Sequence, residues 1–132
     1  MEKKFELKSC SHDLAQFRQQ LKELLSGAGF NEKKSGEVTL AVDEALTNII
    51  RHGYGHEKGR VEVAFHDYQD RVEIRIRDFG KKFDPTKVAP PKLPPTKPGG
   101  LGIYFIHTLM DKVEYQSLAP DTNELHLTKM KI

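Results

Sequence analysis

Three separated groups of residues in this sequence have the types and spacing to do chemistry. The first is Glu44 with Asn48, four apart, so that both project from one face of a helix. On a helical wheel they border the apolar arc of Val38, Val42, Ala45 and Ile49, while Asp43 and Thr47 fall nearer solvent. A carboxylate and a carboxamide at the edge of a core are costly to dehydrate without a partner. The Asn carbonyl oxygen suits a hard cation such as Mg²⁺, the Glu carboxylate is a proton acceptor, and Arg51, three residues beyond Asn48, has the reach for a phosphate. An ordinary polar pair bordering a groove would look the same. The second group is Asp78. By period two it shares the buried face of Val72, Ile74 and Ile76, where an unpaired carboxylate costs several kcal/mol. The exocyclic amine of adenine is one suitable donor, and a cap on the turn at Gly80 is another way to satisfy it. The third group is Gly99-Gly100-Leu101-Gly102 at the start of a helix. Glycines let a phosphate approach the backbone, and a helix N-terminus offers free N–H groups and positive potential. A tight turn into the helix would need the same glycines.

These groups need elements to hold them. Residues 4–8 alternate and read as a short strand. Ser11 is expected to cap a helix carrying Leu14, Phe17, Leu21, Leu24 and Leu25, which Gly27 and Gly29 stop. Asn31 caps a second helix over roughly 32–52, ended by Gly53, and residues 54–59 form a loop. Val61, Val63 and Phe65, then Val72, Ile74 and Ile76, alternate with polar residues and predict an antiparallel hairpin turning at 67–70. Residues 81–98 hold six prolines and five lysines, which excludes a regular element and predicts a long surface loop. A helix to about Met110 follows, then strands over 113–117 and 124–131. The fold class this order predicts is an α/β (α+β) two-layer sandwich, its largely antiparallel sheet covered by helices on one face.

Composition narrows the function. With 132 residues the chain has room for one core, not for a bilobal kinase or a large barrel. Its 37% hydrophobic and 30% charged residues, with mean hydropathy −0.59, exclude fibrous and membrane classes. The net charge of +2 lacks the basic excess of a nucleic-acid binder. One cysteine, Cys10, excludes an internal disulfide and Cys-rich zinc modules, and fits a reducing cytosol. The opening residues lack a signal peptide's apolar run, and no stretch of about 18 apolar residues spans a membrane. A cytoplasmic protein is expected.

The order and spacing of the groups are more specific than any one of them. The stretch Glu44-Ala45-Leu46-Thr47-Asn48-Ile49-Ile50-Arg51-His52-Gly53-Tyr54, with Asp78-Phe79-Gly80 and Gly99-Gly100-Leu101-Gly102-Ile103, resembles the three boxes of the GHKL ATPase superfamily. Within it, the chain resembles the small serine-protein kinases that act as bacterial anti-sigma factors, over nearly its whole length. The likeness includes Ala41-Val42-Asp43 before the first box and Phe83-Asp84-Pro85 after the second. It implies a single domain over 1–132 with a Bergerat-type ATP site, a mostly antiparallel mixed sheet and an ATP lid at about 81–98. Glu44 would be the general base for a protein serine hydroxyl. Asn48 would coordinate Mg²⁺ bridging the ATP phosphates, and Arg51 would lie within reach of them. Asp78 would bind the adenine amine, and Gly80 would let the base lie close to the backbone. Gly99, Gly100, Leu101 and Gly102 would bring amides to the phosphates. The implied partners are an anti-anti-sigma (STAS-like) substrate, a sigma factor and a second copy of the chain, with no nucleic acid and no membrane.

The chain departs from this pattern in three places. Lys82 stands where a second glycine often follows Asp-x-Gly, Pro98 stands before the glycine pair where a charge is usual, and Thr122-Asn123 replaces Gly-Thr before the last strand. Other readings compete. Asp78-Phe79-Gly80 invites a eukaryotic-type protein kinase, but the length and the missing catalytic-loop Asp and Asn exclude it. A dinucleotide fold would place Gly-x-Gly-x-x-Gly after the first strand, and here the glycines come late. The alternatives that remain are an ATP-binding partner-switch module without catalysis and a histidine-kinase-type catalytic fragment. His12-Asp13 is a faint phosphoacceptor pair, with no second dimerisation helix beside it.

Overall fold

The computed structural model describes residues 1–55, 59–87 and 101–132. Its strands and helices run β1 (Glu2–Lys8), α1 (Ser11–Gly27), α2 (Glu32–Asn48), β2 (Arg60–Asp67), β3 (Arg71–Asp78), α3 (Leu101–Leu109), β4 (Lys112–Ala119) and β5 (Thr122–Met130). A π-helical turn, Ile49–Gly53, continues α2, and a 3₁₀ turn lies at Pro85–Lys87. The five strands form one sheet in the order β1-β2-β3-β5-β4. Every pairing is antiparallel, with no parallel pair among the described residues. The expected two-layer α+β arrangement is the one observed.

Alternation decides which face is covered. Val61, Val63 and Phe65 of β2, Val72, Ile74 and Ile76 of β3, and Leu125 and Leu127 of β5 are buried in one core. Phe17, Leu21 and Leu25 of α1, Val38, Ala41, Val42, Ala45 and Leu46 of α2, and Ile106 of α3 pack into that core from the helical layer. Each of these Val, Leu, Ile and Phe side chains contributes about 1.5–3 kcal/mol when fully buried. The alternate positions Glu6, Arg75 and Arg77 are exposed.

The elements differ from expectation in detail. The first strand begins at Glu2, and α1 is preceded by Cys10 in extended conformation with no side-chain cap bond, so Ser11 is helical and not the cap. Asp13, in the first turn of α1, ties the helix to the end of β1, its Oδ2 accepting the Lys8 amide at 3.0 Å. Asn31 caps α2 as expected, its Oδ1 accepting the Lys34 amide at 2.8 Å. Residues 81–98 were expected to hold no regular element, yet Pro85–Lys87 forms the 3₁₀ turn. Proline fits there because it sits at the first position, where an N–H is not needed, and Asp84 Oδ1 accepts from the Thr86 amide at 2.8 Å. No helix among the described residues is long and apolar enough to cross a membrane.

Candidate active site

The apolar face of α2 packs on the sheet, and that packing sets where its polar margin points. Asn48, at the last turn, is buried, and its side-chain nitrogen has no hydrogen-bond partner among the described residues. An orphaned buried amide costs about 1–3 kcal/mol. The carboxamide therefore suits a ligand brought from outside, and a half-turn of the amide would present its carbonyl oxygen instead. After Asn48 the helix widens, and the Tyr54 amide donates to the Ile49 carbonyl at 3.0 Å, an i to i+5 bond. Such π turns are rare and are frequent at functional sites. Arg51 lies in this turn with its side chain exposed and does not line the cleft described below.

The π turn docks on the end of β3. The Lys81 amide donates to the Gly53 carbonyl at 2.6 Å. A Cβ on Gly80 would lie 2.6 Å from that carbonyl oxygen and 2.7 Å from its carbon, so this position admits only glycine. The neighbour that demands a glycine at 80 is thus the Gly53 backbone. Tyr54 completes the joint, its hydroxyl accepting from the Phe79 amide at 2.9 Å and donating to the Arg60 carbonyl at 2.6 Å.

Asp78 is buried at 6% exposure, on the inward face as its register demands. Its Oδ1 accepts from the Gly80 amide and from Asn123 Nδ2, both at 3.0 Å. Burial pushes the carboxyl above its ordinary range, and Asn123, Gly80 and the nearby Lys82 ammonium pull the other way. Asp78 therefore caps the turn at Gly80 and at the same time lines a cleft. Both of its bonds fall on Oδ1, which leaves Oδ2 for another donor.

That cleft is lined by Ala45, Asn48, Ile49, Gly53, Asp78, Lys81, Phe83, Pro85, Ile106, Tyr115 and Leu125. Apolar walls with a few convergent polar groups are what a planar heterocycle needs. Burial raises the Tyr115 hydroxyl's pKa, and the carboxylates of Asp78 and Asp84 add to this against the Phe83 amide. Glu44 lies one turn before Asn48, and its Oε2 would be 2.5 Å from a Cβ on Gly102. A Cβ there would meet only the end of a flexible side chain, so what the contact shows is that the Glu44 carboxylate lies at the start of α3. The structure thus brings Asn48 to Asp78, and Glu44 to Gly102. Gly99, Gly100, the Leu101 side chain and residues 88–98 of the expected lid lie outside the described residues.

Residues 8–129 match the family described as the histidine kinase-like ATPase domain. The chain belongs to that family. Among its relatives is the serine-protein kinase RsbW of Listeria innocua, 35% identical over 106 residues, or 74% of this chain and 68% of that one. RsbW of Halalkalibacterium halodurans is 39% identical over 95 residues, 65% of this chain and 57% of its own. RsbW of Bacillus cereus is 36% identical, with 59% of its length spanned. A solved structure of RsbU and RsbW domains from Mycobacterium tuberculosis matches with TM-score 0.71 at 17% identity, over 98% of this chain and 32% of that one, which shows a shared fold.

As a histidine kinase-like ATPase domain, the chain uses ATP, and the cleft below Asn48 and Asp78 has the composition to receive it. Sequence reasoning missed Tyr54 and Tyr115 and saw Asn123 and Lys82 only as departures. Asn123 carried a readable signal. It shares the inward face of β5 with Leu125 and Leu127 and pairs with Asp78 in the ladder, so it is a polar side chain where an apolar one is expected. The same logic singled out Asp78.

Proposed function

We propose that the chain is an ATP-dependent serine-protein kinase and anti-sigma factor. It phosphorylates an anti-anti-sigma, STAS-like partner and sequesters a sigma factor, so that the two partners compete for it. The observation that carries this reading is the buried Asn48 amide without a partner among the described residues, beside Asp78 in an apolar cleft, with the Glu44 carboxylate one helical turn away. The RsbW relatives, named serine-protein kinases, support the same reading. The whole of residues 1–132 acts as one ATP-binding domain, with 81–98 as its lid, in a cytoplasmic homodimer.

In this mechanism Asp78 accepts the adenine amine on Oδ2 while Oδ1 stays bonded within the protein. The Asn48 carboxamide would hold Mg²⁺ by its carbonyl oxygen. Bound Mg²⁺ supplies charge neutralisation across the phosphates. Gly99, Gly100, Leu101 and Gly102 would offer backbone amides to the phosphates, and Arg51, exposed in the π turn, would reach them once a ligand is in place. Glu44 accepts the proton of the partner's serine hydroxyl as the Oγ–Pγ bond forms and the bond from Pγ to the β,γ-bridging oxygen breaks, releasing ADP. Phosphoryl transfer needs mainly positioning and charge stabilisation, so this small set suffices.

The test is transfer of labelled γ-phosphate to a cognate anti-anti-sigma domain. Native protein is expected to label one serine. Glu44→Gln keeps the shape and removes the base, and should lower transfer by about 10²–10⁴-fold with little change in nucleotide affinity. ATP binding by the native chain without any transfer would make it a non-catalytic partner-switch module, and undiminished transfer by Glu44→Gln would remove Glu44 from the reaction.

A further inference from the structure

Lys82 and Asn123, two positions at which the sequence leaves the pattern it resembles, are bonded to each other. Lys82 Nζ donates to Asn123 Oδ1 at 2.8 Å and to the Ala119 carbonyl at 2.9 Å. Asn123 is only 1% exposed, and its Nδ2 donates both to Asp78 Oδ1 and to the Gly80 carbonyl, each at 3.0 Å. Both donor hydrogens of the amide and one acceptor position of its oxygen are thereby engaged in one sense. Rotating it by a half-turn would set its NH₂ against the Lys82 ammonium and its carbonyl against the Asp78 carboxylate, two repulsive contacts in place of attractive ones. Few side chains fit these demands. Aspartate cannot donate, threonine can donate only once, and leucine can do neither.

We infer that Asn123, oriented by Lys82, is a positioning residue for nucleobase recognition. It holds Asp78 by one carboxylate oxygen so that the other is presented to a base carrying an exocyclic amine. The inference rests on the ATP-site reading above and adds to it. Asn123 acts through Asp78 and touches no ligand. Lys82 has a second consequence. Its bond to the Ala119 carbonyl ties the residues just after Asp78-Phe79-Gly80 to the β4–β5 turn, so the root of the 81–98 segment and the acceptor carboxylate share one anchor.

The test is calorimetry with two Mg²⁺-bound probes that differ only at the base, ADP and purine riboside 5′-diphosphate, which lacks the amine. Native protein should prefer ADP by about tenfold or more, the worth of a hydrogen bond to a charged group. Asn123→Leu, close in size and unable to donate or accept, should reduce that preference to about threefold or less while leaving the affinity for the purine riboside diphosphate nearly unchanged. A merely structural role would weaken both probes alike. Lys82 is exposed, so Lys82→Met tests the idea without endangering the core. It should lower the preference part of the way, and Lys82→Met with Asn123→Leu should lose no more than Asn123→Leu alone, because the two act as one unit. An unmoved ADP preference in both variants, or equal weakening of both probes, would overturn the inference and leave the ATP site standing. Failure of the native chain to bind ADP at all would remove the site reading and this inference together.

Discussion

At the scale of single residues, Asn48 shows how function is paid for in the unliganded fold. Its side-chain nitrogen is buried without a partner among the described residues, a cost that an apolar side chain of similar shape would not carry. Asn48→Leu should therefore leave the melting temperature unchanged or raise it, while abolishing Mg²⁺-dependent ATP binding. Thermal denaturation and calorimetry on the same sample check both halves. A large drop in melting temperature would mean that the amide serves the fold and not a ligand. Arg51 makes the opposite case. Its spacing from Asn48 suggested reach toward a phosphate, but the π turn leaves it exposed and outside the cleft lining. Any role it has would come with a ligand in place.

At the scale of elements, two glycines separate packing from propensity. Gly80 faces the Gly53 backbone, which cannot give way as a flexible side chain would. Gly80→Ala should cost about 1–3 kcal/mol through a forced backbone shift, seen as a fall of several degrees in melting temperature. Gly36 lies within α2 with no atom near the site of an added Cβ. Gly36→Ala should stabilise by about 0.4–1 kcal/mol through helix propensity and a less free unfolded chain. Equal effects of the two substitutions would contradict the docking of the π turn on β3. The same contrast explains what was legible in the sequence. The period of Val38, Val42, Ala45 and Ile49 announced α2, and strict alternation announced β2 and β3, because burial of one face imposes those periods. The π turn was not legible. A bond from residue 54 to residue 49 has no pattern of its own and follows from the fit of Gly53 against Gly80. The Ser11 cap was misread because Asp13 satisfies the backbone from the other side of the helix start. In the site, Glu44, Asn48 and Asp78 were legible as polar residues at apolar positions. The Asn123–Lys82 bond was not, since it joins residues 41 apart in the chain.

At the scale of the whole molecule, two acids on β3 respond to pH in opposite senses. For Glu73, burial alone would raise the carboxyl, but the hydrogen bonds from Arg71 at 2.6 Å and His126 at 2.6 Å prevail and hold it below its ordinary range. A depressed acid contributes stability that is present above its unfolded pKa and is lost as pH falls through the folded one. Glu73→Gln should thus lower stability at pH 7, with the difference shrinking under acid conditions where both forms are neutral. Asp78 has the reverse sign. Burial raises it above 3.8 despite Asn123, Gly80 and Lys82. Its ionised form therefore burdens the fold above the folded pKa, and the burden is relieved as pH falls through that value. Asp78→Asn, free of that burden, should match or exceed the native melting temperature at pH 7, gain nothing at low pH, and bind ADP more weakly because its amide adds donors opposite the adenine amine. Melting curves across pH for both variants, with ADP calorimetry on the second, decide the matter. If Asp78→Asn proved strongly destabilising at pH 7 and kept native ADP affinity, the carboxylate would be a structural cap on the Gly80 turn. If it proved stable and unable to bind, the buried charge is kept for the nucleotide, because the fold gains nothing from it.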